Sequence, residues 1–523
     1  MRVPLSPIRC LYRGADLYPR KTAVVCCERR FTYAEFAERC ERLAYGLQSL
    51  GVQPGDRVAY LSFNNAELLE GYYGPLLASA ISMPLNVRLT PGELTAIIGH
   101  AEPRVLFYEA DFDPIVAHLR GACPAVAHWI QIGAPYEALL AQGRLPRPDI
   151  FSIDEDAIAE LFYTSGSTGS PKGVMLSHRT LYLHALSVLS AIVRDDRQVE
   201  LHTIPLFHAN GWGRAQTSVN NGLTQVMVRR FEPSLVLRLI EQERATGMAV
   251  VPTMANALLN CPDLGHHDVS SMADIMIGGA AASPELIARL EQAFPRARVF
   301  AGYGLTETSP VATCARPKGT IDPAGDEDRL RYCAMAGWPL SGAEVRVVDL
   351  QDAPVPRDSQ SIGEVVVRGD VVMDGYYKEP KATADVLRDG WLHTGDMAVW
   401  DEENFVHIVD RKKDIIISGG ENISSIEVER AIFSHPAVLE CAVVAAPDPK
   451  WGEVPAAYVV RKPGATLTTE ELCAHLAGRI AKFKMPRRFE FSDAPLPKTG
   501  TGKILKRELR ETFWSGKERR VQG

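Results

Sequence analysis

Apolar and polar positions along the first 150 residues follow the spacings of helices and buried strands. Residues 32–51 place Phe36, Leu43 and Leu47 on one face of a predicted helix, and Gly51 suits the position after its last turn. A strand is predicted over 56–61, a helix over 66–78 and a further strand over 81–85. Because helices and strands alternate, the pattern predicts a parallel, doubly wound sheet.

The pattern changes after residue 337. Short apolar runs separated by glycines predict a small β-barrel or distorted sheet over about 337–410. The charged run from Asp410 to Asp414 lies between two apolar strands, which favours a domain boundary there. Strand and helix patterns then alternate to the end. The predicted fold is α/β, with a large N-terminal domain (1–410) of doubly wound sheets plus the small β-barrel, and a small α+β C-terminal domain (414–523).

Composition indicates an ordinary globular protein. Of 523 residues, 46% are hydrophobic and 23% charged, and the net charge of −7 gives no reason to expect a nucleic-acid partner. The ten cysteines lack metal-ligand spacing, which favours free thiols in a reducing compartment. No run of eighteen apolar residues exists, and the first residues lack an apolar signal segment. A cytoplasmic location without a membrane span is therefore expected.

The most informative stretch is the loop between two apolar runs, from Thr164 to Gly173. Its glycines permit close backbone approach, its hydroxyls add hydrogen-bond donors, and Lys172 adds a positive charge. This chemistry suits a polyphosphate. The spacing is not that of a Walker A loop, and Pro171 disfavours a helix directly after the loop. A Gly/Ser-rich linker is the other interpretation of this composition.

Further motifs follow in order along the chain. They are PLFHANGWG (205–213), GGAA (278–281), YGLTE (303–307), GWLHTGD (390–396), DRKKD (410–414), SGGENI (418–423) and PKTGTGK (497–503). Within YGLTE, Tyr303 can stack on an adenine ring, Thr306 can donate to a phosphate, and Glu307 is a hard oxygen ligand suited to Mg²⁺. Each motif alone is weak evidence, but their combination and order are specific.

Together these motifs resemble the adenylate-forming superfamily, which includes acyl-CoA synthetases, peptide-synthetase adenylation domains and beetle luciferases. The resemblance covers nearly the whole chain and implies an AMP-forming acid–thiol ligase that uses ATP, Mg²⁺ and coenzyme A. It also implies a mobile C-terminal domain that rotates about a hinge at 411–413, with Lys413 as the hinge residue.

The resemblance implies a role for each motif residue. Lys503, Thr306, Glu307 and His208 are the expected catalytic residues, and Thr164 and Glu307 the expected metal ligands. His208, Trp212 and Gly302 are expected to line the acid site. The expected ATP and CoA contacts are Thr164, Ser165, Gly166, Ser167, Thr168, Gly169, Lys172, Gly279, Ala280, Ala281, Tyr303, Gly304, Asp396, Arg411 and Gly420.

The expected reaction activates a short- or medium-chain or aromatic carboxylate as acyl-AMP, releases pyrophosphate, and transfers the acyl group to CoA. Transfer to a carrier-protein thiol is the first alternative. A luciferase-like oxygenase and a catalytically silent ATP-binding regulator are further alternatives, although the intact lysines and acids argue against the regulator. The expected partners are the carboxylic acid, ATP and CoA, with a homodimer expected by analogy.

Overall fold

The computed structural model describes residues 2–164, 171–192, 195–419, 421–498 and 504–514. Contacts divide the chain into two compact units. The first comprises Met1–Arg346, Val366–Thr394 and Asp401–Val406, and the second comprises Val347–Val365, Gly395–Trp400 and His407–Gly523. The hinge at 411–413 stays a prediction.

The first unit contains a seven-stranded and a nine-stranded sheet, both mainly parallel. The seven-stranded sheet runs, in spatial order, through Gly375–Tyr376, Lys172–Ser177, Ile158–Thr164, Ile81–Pro84, Arg57–Leu61, Val105–Tyr108 and His128–Gln131. The nine-stranded sheet runs through Trp338–Pro339, Thr313–Cys314, Arg298–Tyr303, Asp274–Ile277, Gly247–Val250, Val199–His202, Thr224–Met227, Thr22–Cys26 and Arg29–Thr32. The doubly wound α/β prediction is confirmed.

Helices cover these sheets. The α-helices of the first unit are Pro7–Leu17, Tyr33–Ser49, Ala66–Glu70, Gly74–Leu77, Pro91–Ala101, Asp113–Ala122, Ala134–Leu140, His178–Ala191, Ala209–Trp212, Arg214–Asn220, Pro233–Glu243, Pro252–Leu259, Pro284–Ala293, Asp326–Ala334 and Pro380–Val386. Its 3₁₀ turns are Ala110–Phe112, Ile150–Ser152, Pro262–His266 and Thr306–Thr308. Within the described residues, none of the helices combines the length and apolar character that a membrane crossing requires.

Local sequence explains where several helices begin and end. Thr32 and Glu35 form a reciprocal capping box at the start of Tyr33–Ser49, and Gly51 follows that helix with φ of 77°. The single helix predicted over 66–78 is wrong, because the chain forms two helices, Ala66–Glu70 and Gly74–Leu77. Pro75 explains the break: its ring removes a backbone N–H and fits the start of the second helix.

The β-rich segment forms a five-stranded sheet, and the division between the two units falls within its strands. These strands are Ala343–Val348, Gly363–Gly369, Leu387–Arg388, Trp391–Trp400 and Val406–Arg411. The second unit contains another sheet, made of Glu421–Ile423, Ile416–Ser418, Gly452–Arg461, Val438–Asp448 and Arg488–Ser492. Its helical segments are Ser425–Phe433, Thr469–Leu476, Lys482–Lys484 (3₁₀) and Lys506–Trp514. Each unit buries apolar clusters of its own.

Candidate active site

Two antiparallel strands carry the predicted phosphate loop. Ile158–Thr164 and Lys172–Ser177 are neighbours in the seven-stranded sheet, and Thr164 lies directly opposite Lys172. Strands on both sides of the loop agree with the sequence-based prediction. The loop positions Ser165, Gly166, Ser167, Thr168 and Gly169 lie outside the described residues.

Tyr376 connects Lys172 to Glu307. The Lys172 Nζ lies 4.8 Å from the centre of the Tyr376 ring, and the Tyr376 hydroxyl donates to Glu307 Oε1 at 2.9 Å. Burial and the nearby Glu307 carboxylate raise the pKa of Tyr376 well above its usual value, so the hydroxyl stays protonated as a donor. The structure thus brings two predicted site residues, which are 135 positions apart, to the same tyrosine: Lys172 lies over its ring and Glu307 accepts from its hydroxyl.

Sequence reasoning missed Tyr376. Its segment, Gly375–Tyr376, pairs with Met175 and Val174 as an edge strand of the phosphate-loop sheet. The backbone N–H of Tyr376 donates to Thr383 Oγ1 at 2.9 Å, which fixes the tyrosine further. The pattern around 375 predicted a short strand but gave no sign of its partner strand, because pairing at this separation leaves no local trace.

Hydrogen bonds to the backbone fix the YGLTE segment, which contains Glu307. Thr306–Thr308 forms a 3₁₀ turn, and the Met373 N–H donates to the Glu307 carbonyl at 2.9 Å. The Thr308 side chain accepts from the Leu305 N–H at 2.9 Å. A side chain at Gly304 would collide with the backbone of Pro310, so this close approach requires glycine.

Glu307 fits a role as a partial metal ligand. Within the described residues, its Oε2 accepts no hydrogen bond while Oε1 accepts from Tyr376, and no cluster of three or more His, Cys, Asp or Glu side chains could hold a metal. A hard cation bound here would therefore take most of its oxygen ligands from a polyphosphate and water. Thr164, the second predicted metal ligand, ends the strand before the phosphate loop.

The GGAA segment follows the strand Asp274–Ile277. Gly278 is buried, whereas Gly279, Ala280 and Ala281 are exposed and leave a surface of small residues. A β-carbon at Gly278 would lie 3.0 Å from two carbons of the Trp212 ring. The predicted adenine-binding residues and the predicted acid-site tryptophan therefore lie next to each other.

Tyr303 and Gly302 end the neighbouring strand, Arg298–Tyr303, which runs parallel to Asp274–Ile277. Both are half-buried and pair with Thr313 and Cys314. A β-carbon at Gly302 would lie 3.0 Å from the sulfur of Met276. The adenine and acid-site candidates thus share the ends of two adjacent strands, where ligands bind in parallel sheets.

The PLFH segment leads into a left-handed turn. Ala209, Asn210, Gly211, Trp212 and Gly213 have φ of 39°, 45°, 63°, 64° and 74°. Such geometry costs about 1 to 2 kcal/mol for a residue with a β-carbon. It is therefore held by surrounding contacts. His208, which precedes the turn, is half-buried with its ring centre 5.1 Å from that of Phe207.

Two buried groups hold the turn. Glu160, in the strand before the phosphate loop, accepts from Asn210 Nδ2 at 2.8 Å and from Gln216 Nε2 at 2.6 Å. Burial raises the pKa of Glu160 to about 8, against the effect of these two hydrogen bonds. His184 packs where a β-carbon of Gly213 would lie, and burial lowers the pKa of this imidazole to about 4. Sequence reasoning missed Glu160, since one acid in an apolar run predicts no partner.

An apolar wall adjoins the turn. A small cavity is lined by Trp212, Arg214 and seven further residues: Val188, Ala191, Ile192, Met276, Val311, Cys314 and Leu340. Arg214 is buried beside Glu200, and the two side chains form an ion pair. The Trp212 ring therefore both lines this cavity and lies against the small residues at 278–279.

In the second unit, the two predicted ribose-binding residues form an ion pair. Arg411 Nε lies 2.8 Å from Asp396 Oδ1, and Asp396 is buried while Arg411 is 43% exposed. Glu364 supports this arrangement by accepting from the Gly395 N–H at 3.0 Å and from Lys412 Nζ at 3.1 Å. The pair presents a carboxylate and a guanidinium from two neighbouring strand segments.

The remaining predicted residues belong to the second unit or lie outside the described part. The Lys413 carbonyl accepts from Arg510 at 2.8 Å, so its backbone is held by the last described helix. Gly419 has φ of 61° and lies against the Trp451 ring. Gly420 and Lys503 lie outside the described residues.

Comparison with known proteins identifies the family. Residues 11–377 match the AMP-binding enzyme family, and residues 427–503 match the AMP-binding enzyme C-terminal domain. The chain is 40% identical to a long-chain-fatty-acid–CoA ligase of Thermus thermophilus, covering 96% of this chain and 94% of the relative. It is also 40% identical to a feruloyl-CoA synthase of Amycolatopsis, covering 96% and 98%.

A solved structure agrees. The o-succinylbenzoate CoA synthetase MenE from Bacillus subtilis, in complex with the acyl-adenylate intermediate OSB-AMP, is 30% identical with a TM-score of 0.82, covering 96% of this chain and 97% of that one. The chain belongs to the AMP-binding enzyme family. The predicted class, an AMP-forming acid–thiol ligase that uses ATP and CoA, is confirmed.

Proposed function

We propose that this ligase activates a short- or medium-chain or aromatic carboxylic acid. The observation that carries the proposal is the Trp212 ring lying against Gly278 beside the apolar wall. A bulky ring at this point limits the depth available to an acyl chain, and an apolar lining favours a hydrocarbon or aromatic body. By their names, two relatives act on acids as different as a long-chain fatty acid and ferulic acid. The acid used by this chain therefore depends on its own pocket.

In the first step the carboxylate oxygen attacks the α-phosphorus of ATP, and the bond to the leaving pyrophosphate breaks. Catalysis then consists mainly of positioning and of stabilising phosphate charge. We assign the β- and γ-phosphates to Lys172 and the loop before it, the α-phosphate to Thr306, and the developing charge between the two reactants to Lys503. No general base is required because a carboxylic acid is ionised at neutral pH.

Mg²⁺ and the nucleoside complete the proposed ATP site. A Mg²⁺ ion would be held by Glu307, with Thr164 beside the phosphates, and would neutralise polyphosphate charge. Gly279 and its neighbours, with Tyr303, would contact the adenine. Asp396 would accept from the ribose hydroxyls, and the ion pair with Arg411 supports this by fixing the carboxylate.

In the second step the CoA thiolate attacks the carbonyl carbon of the acyl-AMP, and AMP leaves. We propose that rotation about Lys413 replaces Lys503 by the segment containing Gly420, whose lack of a side chain gives room for the pantetheine arm. His208 would gate the acid site. The same proposal includes a homodimer and a cytoplasmic location. The ten free cysteines support the location, because thiols stay reduced in that compartment.

The test is carboxylate-dependent exchange of labelled pyrophosphate into ATP with acetate, butyrate, octanoate, palmitate, benzoate and ferulate. Exchange should peak with butyrate, octanoate, benzoate or ferulate and be weakest with palmitate. Replacing Trp212→Ala should raise the kcat/KM ratio of palmitate to benzoate at least tenfold, which is about the effect of one methylene in an apolar pocket.

The matched control is Trp129→Ala, which removes an equal ring from the strand His128–Gln131 of the other sheet in the same unit. This variant should keep the wild-type order of acids. A wild type that prefers palmitate, or a Trp212→Ala enzyme with an unchanged order, would contradict the proposed acid class. CoA-dependent release of AMP from the acyl-AMP of the preferred acid then distinguishes CoA from a carrier thiol.

A further inference from the structure

Glu160 is a buried acid that no step of the proposed reaction uses. It lies in Ile158–Thr164 with none of its surface exposed, and Asn210 and Gln216 are buried with it. Its two carboxyl oxygens accept one hydrogen bond each, from residues 50 and 56 positions later in the chain. An acid in the core of a sheet is costly unless it has a specific set of partners.

These partners lie in the segment that forms the wall of the acid site. Asn210 is the second residue of the left-handed turn, with φ of 45°, and Gln216 lies in the helix that follows the turn, Arg214–Asn220. His208 directly precedes the turn and Trp212 lies within it. One carboxyl group thus holds both the turn and the start of the following helix to the strand that leads into the phosphate loop.

The hydrogen-bonding capacity of the three side chains agrees with a neutral Glu160. Asn210 Oδ1 and Gln216 Oε1 are buried and accept no hydrogen bond within the described residues. A protonated carboxyl supplies one donor, and rotating either amide places its oxygen to receive it. Burial raises the pKa of this carboxyl to about 8, which keeps the proton in place at neutral pH.

We propose that Glu160 is a positioning residue for the acid substrate: by bonding Asn210 and Gln216 it holds the left-handed turn and sets the places of His208 and Trp212. It acts through the turn and not on ATP. The inference rests on the proposed function only in taking His208 and Trp212 as acid-site residues.

The experiment compares Glu160→Ala and Glu160→Gln with wild type. Glutamine keeps both bonds, because its oxygen accepts from Asn210 and its amide donates to a rotated Gln216. The control is Ser82→Ala, because Ser82 lies opposite Glu160 on the next strand and its buried hydroxyl has no hydrogen-bond partner within the described residues.

Two readouts are measured. The first is KM for ATP and for whichever of butyrate, benzoate and ferulate gives most wild-type exchange. Glu160→Ala should raise the acid KM at least fivefold and the ATP KM less than twofold, while Glu160→Gln and Ser82→Ala stay within twofold for both. The second is amide hydrogen exchange over 208–216 in the free protein, which Glu160→Ala should accelerate by tenfold or more, while Glu160→Gln and Ser82→Ala leave it unchanged.

Asn210→Gly provides a second variant if Glu160→Ala does not fold. Glycine adopts a φ of 45° without strain, so this change removes the amide side chain and its hydrogen bond to Glu160 without straining the turn, and it should reproduce the selective rise in acid KM. Equal rises in both KM values, or unaltered exchange over 208–216 in Asn210→Gly, would overturn the proposal. If no acid supports wild-type exchange, the proposed acid class fails and the hydrogen-exchange readout alone decides the role of Glu160.

Discussion

At Gly304 a β-carbon would lie 1.8 Å from the carbonyl oxygen of Pro310, which is backbone and cannot rotate away. Gly302, two residues earlier, differs in one respect. There the nearest atom is the sulfur of Met276, at 3.0 Å, and a methionine side chain adapts readily. These two neighbouring glycines therefore differ in their tolerance of a methyl group.

The prediction at this scale is that Gly304→Ala destabilises the protein by about 2 to 4 kcal/mol, while Gly302→Ala costs about 1 kcal/mol or less. Urea unfolding midpoints followed by circular dichroism measure the difference. Gly304→Ala should also slow pyrophosphate exchange, because the backbone that holds Glu307 must move. Equal midpoints for the two variants would contradict this prediction, because they would show that the backbone at Pro310 moves aside at little cost.

At the scale of elements, the contact between the strand Ile158–Thr164 and the left-handed turn carries a titratable group. The pKa of Glu160 is raised by burial from 4.5 to about 8, so the folded state retains a proton that the unfolded state releases. The titratable side chains affected by its charge, Tyr72 and Tyr73, are buried with pKa values raised well above their usual range. The contact therefore responds to pH through Glu160.

The resulting prediction concerns stability against pH. The contribution of Glu160 is fully present below about pH 4.5 and is lost as pH rises through about 8, because the buried carboxylate is costly. Wild type should lose stability relative to Glu160→Gln over this window. Burial also raises the pKa of Glu70 to about 7, but Glu70 is present in both proteins, so its effect cancels in the difference between their stabilities. Parallel profiles from urea unfolding at pH 5 to 8.5 would contradict the assignment.

At the scale of the whole molecule, the two proposed steps require different residues of the second unit. We predict that Lys503→Ala slows adenylation by about 10² to 10³-fold, as loss of one transition-state donor does, and spares transfer from supplied acyl-AMP to CoA. The control is Lys498→Ala in the same motif, because Lys498 forms an ion pair with Glu440. Single-turnover assays of each half-reaction measure both rates. Equal loss in both would exclude the assignment.

Much of the fold followed from local pattern. Helix periodicity and the position of Gly51 correctly predicted the helix Tyr33–Ser49, and apolar runs correctly predicted the strands around the phosphate loop. The helix predicted over 66–78 was wrong. Its apolar spacing continues across Pro75, but the proline has no backbone N–H with which to continue the helical hydrogen bonds. Local chemistry there outweighed periodicity.

By itself, the sequence determined the order of the motifs, the chemistry that each can supply and the alternation of elements, because these properties reside in neighbouring residues. Only the tertiary structure decided that Tyr376 donates to Glu307, 69 positions away, and that Glu160 bonds to Asn210. It also decided the left-handed turn, in which residues with β-carbons are strained. Such geometry persists only where distant, buried partners hold it, and a local pattern carries no record of those partners.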